Sequence, residues 1–221
     1  NVEKSSNMTF LAGDLGGTKT LLAIYEGKQK LHKLYSRRYI SKEWDSLEPM
    51  IKSFLDHCPE GIELPESGCI AVAGRVNNGE ANITNLPWEI SEKNLCSITG
   101  LKEIELINDF CVLIYGLKFL ENHQYVEIRN SKKKVLENGV VAIIGAGTGL
   151  GIAKGIYTEN QVITFPSEGG HREFTARSEQ EWQLYNWLKD DLKLKRLSIE
   201  RIVSGTGLGH IARWILNKNI N

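Results

Sequence analysis

Two glycine-rich stretches, Gly13-Asp14-Leu15-Gly16-Gly17-Thr18-Lys19-Thr20 and Gly145-Ala146-Gly147-Thr148-Gly149-Leu150-Gly151, each lie beside a short β-rich apolar run. In the first, the chain leaves a strand-like run, turns on glycines and enters another at residues 21–25. Backbone N–H groups in such a turn suit an anion, and glycine admits a phosphate without a Cβ in the way. Asp14 at the mouth of the turn is a poor neighbour for bare phosphate. It is a good one for phosphate carrying Mg²⁺, whose preference for oxygen ligands a carboxylate meets. One glycine turn between strands is an ordinary hairpin, whereas two in one chain read as an ATP clamp built from two lobes. Spacing removes the competing motifs. A P-loop needs Gly-Lys-Ser/Thr, but Lys19 follows Thr18. A dinucleotide fingerprint fails because Leu150, Ile152 and His210 stand where its last glycine belongs.

Between the loops, residues 104–107 read as a buried strand and residues 110–117 as a helix, which puts Asn108 and Asp109 at the strand's carboxyl end. Ligands gather there in open α/β sheets. Asp109 alone is also a good helix N-cap. Beside a phosphate clamp it is a base able to accept the proton of an attacking hydroxyl. Glu168 and His171 frame Gly169-Gly170, and with Glu200 they suggest a polar pocket for vicinal hydroxyls; a surface His beside a Glu is the plain alternative. As a metal site, Glu-x-x-His supplies only two ligands.

These residues form an ordered set: residues 13–18, Thr84-Asn85 with Trp88, Ile107-Asn108-Asp109-Phe110, residues 145–151, residues 167–171, and Glu200-Arg201-Ile202-Val203-Ser204-Gly205. The chain resembles the bacterial-type glucokinases of the actin-like, hexokinase-related ATPase superfamily from about residue 10 to its end. The resemblance implies an α/β, actin-like (ribonuclease H-like) fold with two lobes and a ligand cleft between them. It also implies ATP-dependent phosphorylation of glucose at the 6-hydroxyl. Asp109 matches the catalytic base, and Asn85, Asn108, Asp109, Glu168, His171 and Glu200 match substrate-binding positions. Gly13, Asp14, Leu15, Gly16, Gly17, Thr18 and Lys19, with Gly147, Thr148 and Gly149, match the nucleotide-phosphate contacts. Asp14 is the expected Mg²⁺ ligand.

Two departures stand out: Ser167 replaces a glycine, and Gly74-Arg75-Val76 stands where many relatives carry proline. Family members also continue well past the position of Asn221 through an adenosine-binding segment, so the large lobe is expected to be incomplete in this chain. A non-catalytic sugar sensor and an inactive truncated glucokinase fragment are therefore the alternatives, and the intact Asp109 speaks against the sensor.

The composition is that of an ordinary globular chain. The 221 residues are 41% hydrophobic, and 27 basic residues balance 27 acidic ones, so no net field draws nucleic acid or anionic lipid. No apolar run is long enough to span a membrane, and residues 1–7 are polar rather than signal-like. Cys58, Cys69, Cys96 and Cys111 form no C-x-x-C pair and are expected to be reduced, in keeping with a cytoplasmic protein. Glucose and ATP are the expected small-molecule partners, and a homodimer is left open.

Residues 1–129 are expected to form the small lobe, with the first phosphate loop and the base. Residues 130–221 are expected to form the first part of the large lobe, with the polar stretch 130–138 at the boundary. Strands are expected at 9–15, 19–25, 30–39, 69–72, 104–107, 140–145, 152–157 and 161–165. A helix near residues 47–58 would be capped by Asp45 with Glu48, and another after Ser178 by Ser178 with Glu181. The second Gly-Thr-Gly-Leu-Gly, at 205–209, reads as a helix-start turn.

Overall fold

Alternating apolar residues dictate the first sheet. Along β1 (Thr9–Leu15) Leu11 and Leu15 are buried, and along β2 (Lys19–Glu26) Leu22 and Ile24 are buried, which gives each strand one core-facing side. The computed structural model describes residues 8–28, 30–83, 85–129 and 139–218. The chain divides into two compact units, Asn1–Val112 and Leu113–Asn221.

The first unit carries a five-stranded sheet in the order β3-β2-β1-β4-β8, formed with β3 (His32–Ile40), β4 (Ser67–Val72) and β8 (Glu103–Asn108). β1, β2 and β3 form an antiparallel meander, while β4 joins β1 and β8 joins β4 in parallel. Parallel neighbours need crossovers, and here α1 (Leu47–Asp56) precedes β4 and α2 (Glu92–Thr99) precedes β8. Met50, Ile51 and Phe54 of α1 and Leu95 of α2 pack on the apolar sheet face made by Leu11, Leu22, Ile70 and Leu106. The cap of α1 differs from the expected Asp45–Glu48 pair. Ser46 is the N-cap and makes no side-chain cap bond, and Glu48 is buried. Pro49 occupies the third helical position, so the N–H that a cap would take is missing.

A second, small antiparallel sheet was not foreseen: β5 (Gly74–Asn77), β6 (Glu80–Ile83) and β7 (Glu89–Ser91) in the order β5-β6-β7. Asn78 and Gly79, with φ of 51° and 74°, form its two-residue turn, and an Asn-Gly pair is the strongest short-range signal for such a hairpin.

The second unit carries a three-stranded antiparallel sheet, β11-β10-β9, from β9 (Val140–Ala146), β10 (Leu150–Tyr157) and β11 (Val162–Ser167). The division between units falls within α3 (Asp109–Gly116), not in the polar stretch 130–138, which lies outside the described residues. The reason is packing. Ile114 fills the space left by Gly155, the Tyr157 hydroxyl donates to the Ile114 carbonyl, and the Tyr115 hydroxyl donates to Val162 O at 3.3 Å. The end of α3 thus belongs to the second sheet. α4 (Glu179–Asp191) and α5 (Gly205–Lys218) build a separate apolar cluster from Leu184, Leu188, Leu197 and Trp214. Ser178 caps α4 as expected, its Oγ accepting from Glu181 N at 3.2 Å; the Glu181 carboxylate reaches back to Arg177 N. The buried stripe of α4 is Leu184 and Leu188, with Trp182 left exposed and stacked on Tyr185.

Candidate functional site

Both glycine stretches are hairpin turns. Leu15 pairs with Thr20 across the first, and Ala146 with Leu150 across the second. Their hydrogen bonding settles whether they suit an anion. In the first turn Gly16 N donates to Lys19 O at 3.0 Å, Ser41 N donates to Thr18 O at 3.0 Å, and Ser41 Oγ donates to Gly16 O at 2.7 Å. In the second, Gly147 N donates to Gly149 O at 2.9 Å, Gly205 N to Gly147 O at 2.7 Å, and Thr206 Oγ1 to Thr148 O at 2.8 Å. The carbonyls of Gly16, Thr18 and Lys19 in the first turn and of Gly147, Thr148 and Gly149 in the second are thus occupied, whereas the N–H groups of Gly17, Thr18, Thr148 and Gly149 have no partner among the described residues. Exposed turns that offer N–H groups and withhold carbonyls are anion nests.

Asn108 and Asp109 sit where the parallel strand β8 gives way to α3. The cap of this helix is Asn108, whose Oδ1 accepts from Phe110 N and Cys111 N, each at 3.1 Å. Its Nδ2 donates to Gly74 O at 3.0 Å and to Asp109 Oδ1 at 3.1 Å, so the small sheet's first strand orients the amide. Asp109 Oδ1 also accepts from Phe110 N at 3.0 Å, and the second carboxylate oxygen lies outside these bonds. Burial pushes the Asp109 carboxyl above the ordinary aspartate range and the charge of Asp14 pushes it the same way, against the lowering effect of the Phe110 and Asn108 hydrogen bonds. Asp14 and Lys19 are exposed at the two arms of the first turn, and a Cβ on Gly17 would meet Asn85 Cβ at 2.9 Å, which places Asn85 against that turn. The first unit therefore gathers Gly13 to Lys19, Asn85, Asn108 and Asp109.

The second unit gathers the rest. Glu168 follows the end of β11, and the 3-10 turn Gly169–His171 presses on the start of β10 so closely that a Cβ on Gly170 would lie 2.2 Å from Leu150 O. Only glycine fits there, and that contact holds Glu168 and His171 beside the second hairpin. His171 lies 3.4 Å from Glu168 through Nε2 and 3.3 Å from Glu200 through Nδ1. Glu200 Oε2 lies 2.8 Å from where a Cβ on Gly149 would be, so one carboxylate borders both the His171 cluster and the phosphate-type turn. Glu168, His171, Glu200 and the turn 147–149 thus form one continuous polar surface. Sequence reasoning missed Ser41 and Thr206, the two hydroxyls that hold the turns; the repeat of Gly-Thr-Gly at 147–149 and 205–207 was a signal, but only the fold puts the two copies in contact.

A metal site made by protein ligands alone is not present among the described residues, since no three His, Cys, Asp or Glu side chains converge. Asp14 beside Asp109 suits a cation that takes its other ligands from phosphate and water. No helix among the described residues is long and apolar enough to cross a membrane.

Comparison with known proteins supplies the family. The glucokinase family model matches residues 11–220. A curated glucokinase from Nostoc sp. (strain PCC 7120) is 39% identical over 212 residues, covering 95% of this chain and 61% of the relative. The crystal structure of a glucokinase from an Antarctic psychrotroph superposes with a TM-score of 0.75 at 26% identity, covering 96% of this chain and 65% of that one. A glucokinase from Balamuthia mandrillaris solved in complex with glucose gives a TM-score of 0.72 at 22% identity, covering 99% of this chain and 65% of that one. The chain spans less than two thirds of the length of these relatives. The fold is that of these solved glucokinases, the α/β actin-like ATPase fold, and with the family model matched along nearly the whole chain this protein belongs to the glucokinase family.

Proposed function

We propose that the protein phosphorylates glucose at the 6-hydroxyl with ATP. The observation that carries this is Asp109: a half-buried carboxylate at the end of a parallel strand, oriented through Oδ1 by Asn108 and Phe110 N, in the electrostatic field of Asp14 on the first phosphate-type turn. Family membership and the ordered motifs support the same reading.

In this mechanism the unclaimed N–H groups of Gly17, Thr18, Thr148 and Gly149 bind phosphate oxygens, with Lys19 adding charge beside the first turn. Asp14 is the carboxylate that would hold Mg²⁺ together with ATP, and the bound ion neutralises charge developing on the phosphoryl oxygens. Glu168, His171 and Glu200 hydrogen-bond sugar hydroxyls, and Asn85 and Asn108 add amide contacts from the first unit. Asp109 takes the proton of the 6-hydroxyl as that oxygen attacks the γ-phosphorus of ATP, the bond from this phosphorus to the β,γ-bridging oxygen breaks, and ADP leaves. Its raised pKa brings the base closer to the working pH than an ordinary aspartate, which strengthens it as a proton acceptor. Burial, with Glu105 and Glu92 adding to it, pushes the Cys69 thiol up to about 11 and makes it a poor nucleophile, and a cytoplasmic setting is part of the same proposal.

The test is Asp109→Asn in the protein expressed from its complete coding sequence. This change keeps the shape and most hydrogen bonds but removes the base, so kcat should fall about 10²- to 10⁴-fold while glucose still binds. Near-normal turnover in a coupled assay would refute the assignment.

A further inference from the structure

We infer that Ser41 and Thr206 are positioning residues for nucleotide phosphate. Ser41 fastens the Gly16 and Thr18 carbonyls of the first turn and Thr206 the Thr148 carbonyl of the second, so that these carbonyls are held away from an anion bound to the turn N–H groups. The inference rests on the proposed reading that these turns hold ATP.

The two turns are fastened by the same chemistry from unrelated sequence. Each receives one backbone N–H and one hydroxyl from a short segment outside its own hairpin. On the first turn both come from Ser41, whose N reaches Thr18 O at 3.0 Å and whose Oγ reaches Gly16 O at 2.7 Å. On the second they come from adjacent residues, Gly205 N to Gly147 O at 2.7 Å and Thr206 Oγ1 to Thr148 O at 2.8 Å. Without a donor behind it, a turn carbonyl is free to rotate towards the anion, where its negative end repels phosphate oxygen. The hydroxyl proton assignments agree with this role. Ser41 has one hydroxyl proton and spends it on Gly16 O, so in the 2.9 Å contact between Thr20 Oγ1 and Ser41 Oγ the donor is Thr20. Thr20 and Ser41 are both fully buried, and this relay gives the Ser41 hydroxyl a fixed direction. In the second turn the carbonyls of residues 147, 148 and 149 are all engaged, while the N–H groups of Thr148 and Gly149 are unclaimed among the described residues. Thr206 lies in the first turn of α5, is exposed, and has no core to fill. Its hydroxyl therefore serves the neighbouring turn and not the packing of its own helix.

Thr206→Val replaces the hydroxyl with a methyl of similar size at an exposed site, so it tests the hydrogen bond without threatening the fold. In the protein expressed from its complete coding sequence, the KM for ATP should rise about 3- to 10-fold, the range of one lost hydrogen bond, with the KM for glucose changed by less than about twofold. Thr206→Ser should restore the wild-type value. Amide hydrogen exchange of residues 147–149 should accelerate in Thr206→Val and return to normal in Thr206→Ser. Ser41→Ala should raise the KM for ATP in the same way; because Ser41 is buried, the Thr206 pair decides the matter if that variant is unstable. An unchanged KM for ATP, equal rises in both KM values, or failure of serine to rescue would overturn the inference. If the wild-type protein phosphorylates no sugar, the proposed function fails on its own. The exchange measurement then still judges the fastener, supported by acceleration with serine rescue and overturned by unchanged exchange at residues 147–149.

Discussion

The two units begin with the same device and finish it differently. β1 and β2 in the first unit, and β9 and β10 in the second, are antiparallel pairs joined by a glycine turn, two of whose carbonyls are held from outside the hairpin. In the first unit the free edge of β1 is taken by parallel β4 and then β8, and the apolar face is covered by α1 and α2. In the second unit β9 pairs only with β10 among the described strands. One face of that sheet shows Val140 and Ile144 at 69% exposure and Phe165 at 48%. A phosphate-type turn therefore needs only a hairpin and a fastener behind it. The carboxylate proposed as the base needs more, namely a parallel strand that ends at the site, and among the described strands parallel pairing is confined to the first unit.

The largest effect should separate the two sheets by stability. Phe54 is fully buried and stacks on Tyr35 at 4.8 Å, so Phe54→Ala should cost about 3 to 5 kcal/mol in denaturant unfolding. Phe165→Ala in the 221-residue chain should cost less than about 0.5 kcal/mol, as expected for an uncovered surface position. Comparable losses at both positions would mean that the second sheet has a covered face, and the contrast would break.

A smaller effect tests how the second unit links its turn to the polar cluster. A methyl on Gly149 would collide with Glu200 Oε2, whereas one on Gly147 would meet nothing within 4 Å. Gly149→Ala should therefore displace Glu200 from His171 and raise the KM for glucose about 10-fold, roughly 1.4 kcal/mol, while Gly147→Ala leaves it nearly unchanged. Equal values for the two variants would show that Glu200 and the turn act independently.

The smallest effect sharpens the first unit's side of the comparison. Because the folded Asp109 carboxyl titrates above its unfolded value, the native state holds the extra proton between the two values. This group's contribution to stability is then lost as pH rises through that window, over the same rise in which the carboxylate proposed as the base appears. Asp14→Asn removes one cause of the upward shift and leaves burial, the larger one, so the Asp109 titration followed by carboxyl NMR should move to lower pH. An unmoved midpoint would show that the two carboxylates do not interact.

The sequence by itself determined the features that depend on local pattern. Alternation along residues 9–15 and 19–25 fixed β1 and β2, helical spacing from Leu47 to Phe54 fixed α1, Ser178 fixed the start of α4, and the ordered motifs fixed the family. The small sheet was also readable, since Asn78-Gly79 announces its turn, and was overlooked because its strands are only three or four residues long. Other features were settled only in three dimensions. The transfer of the end of α3 to the second unit depends on Ile114 meeting Gly155, 41 positions later by number. The choice of Asn108 over Asp109 as the cap depends on Gly74 O holding one side of the amide. The roles of Ser41 and Thr206 depend on carbonyls far from them along the chain. Local pattern reports the side chains that want burial and the residues that permit a turn. Which carbonyl a hydroxyl will meet is decided by packing between distant segments, and no periodicity in the sequence records that.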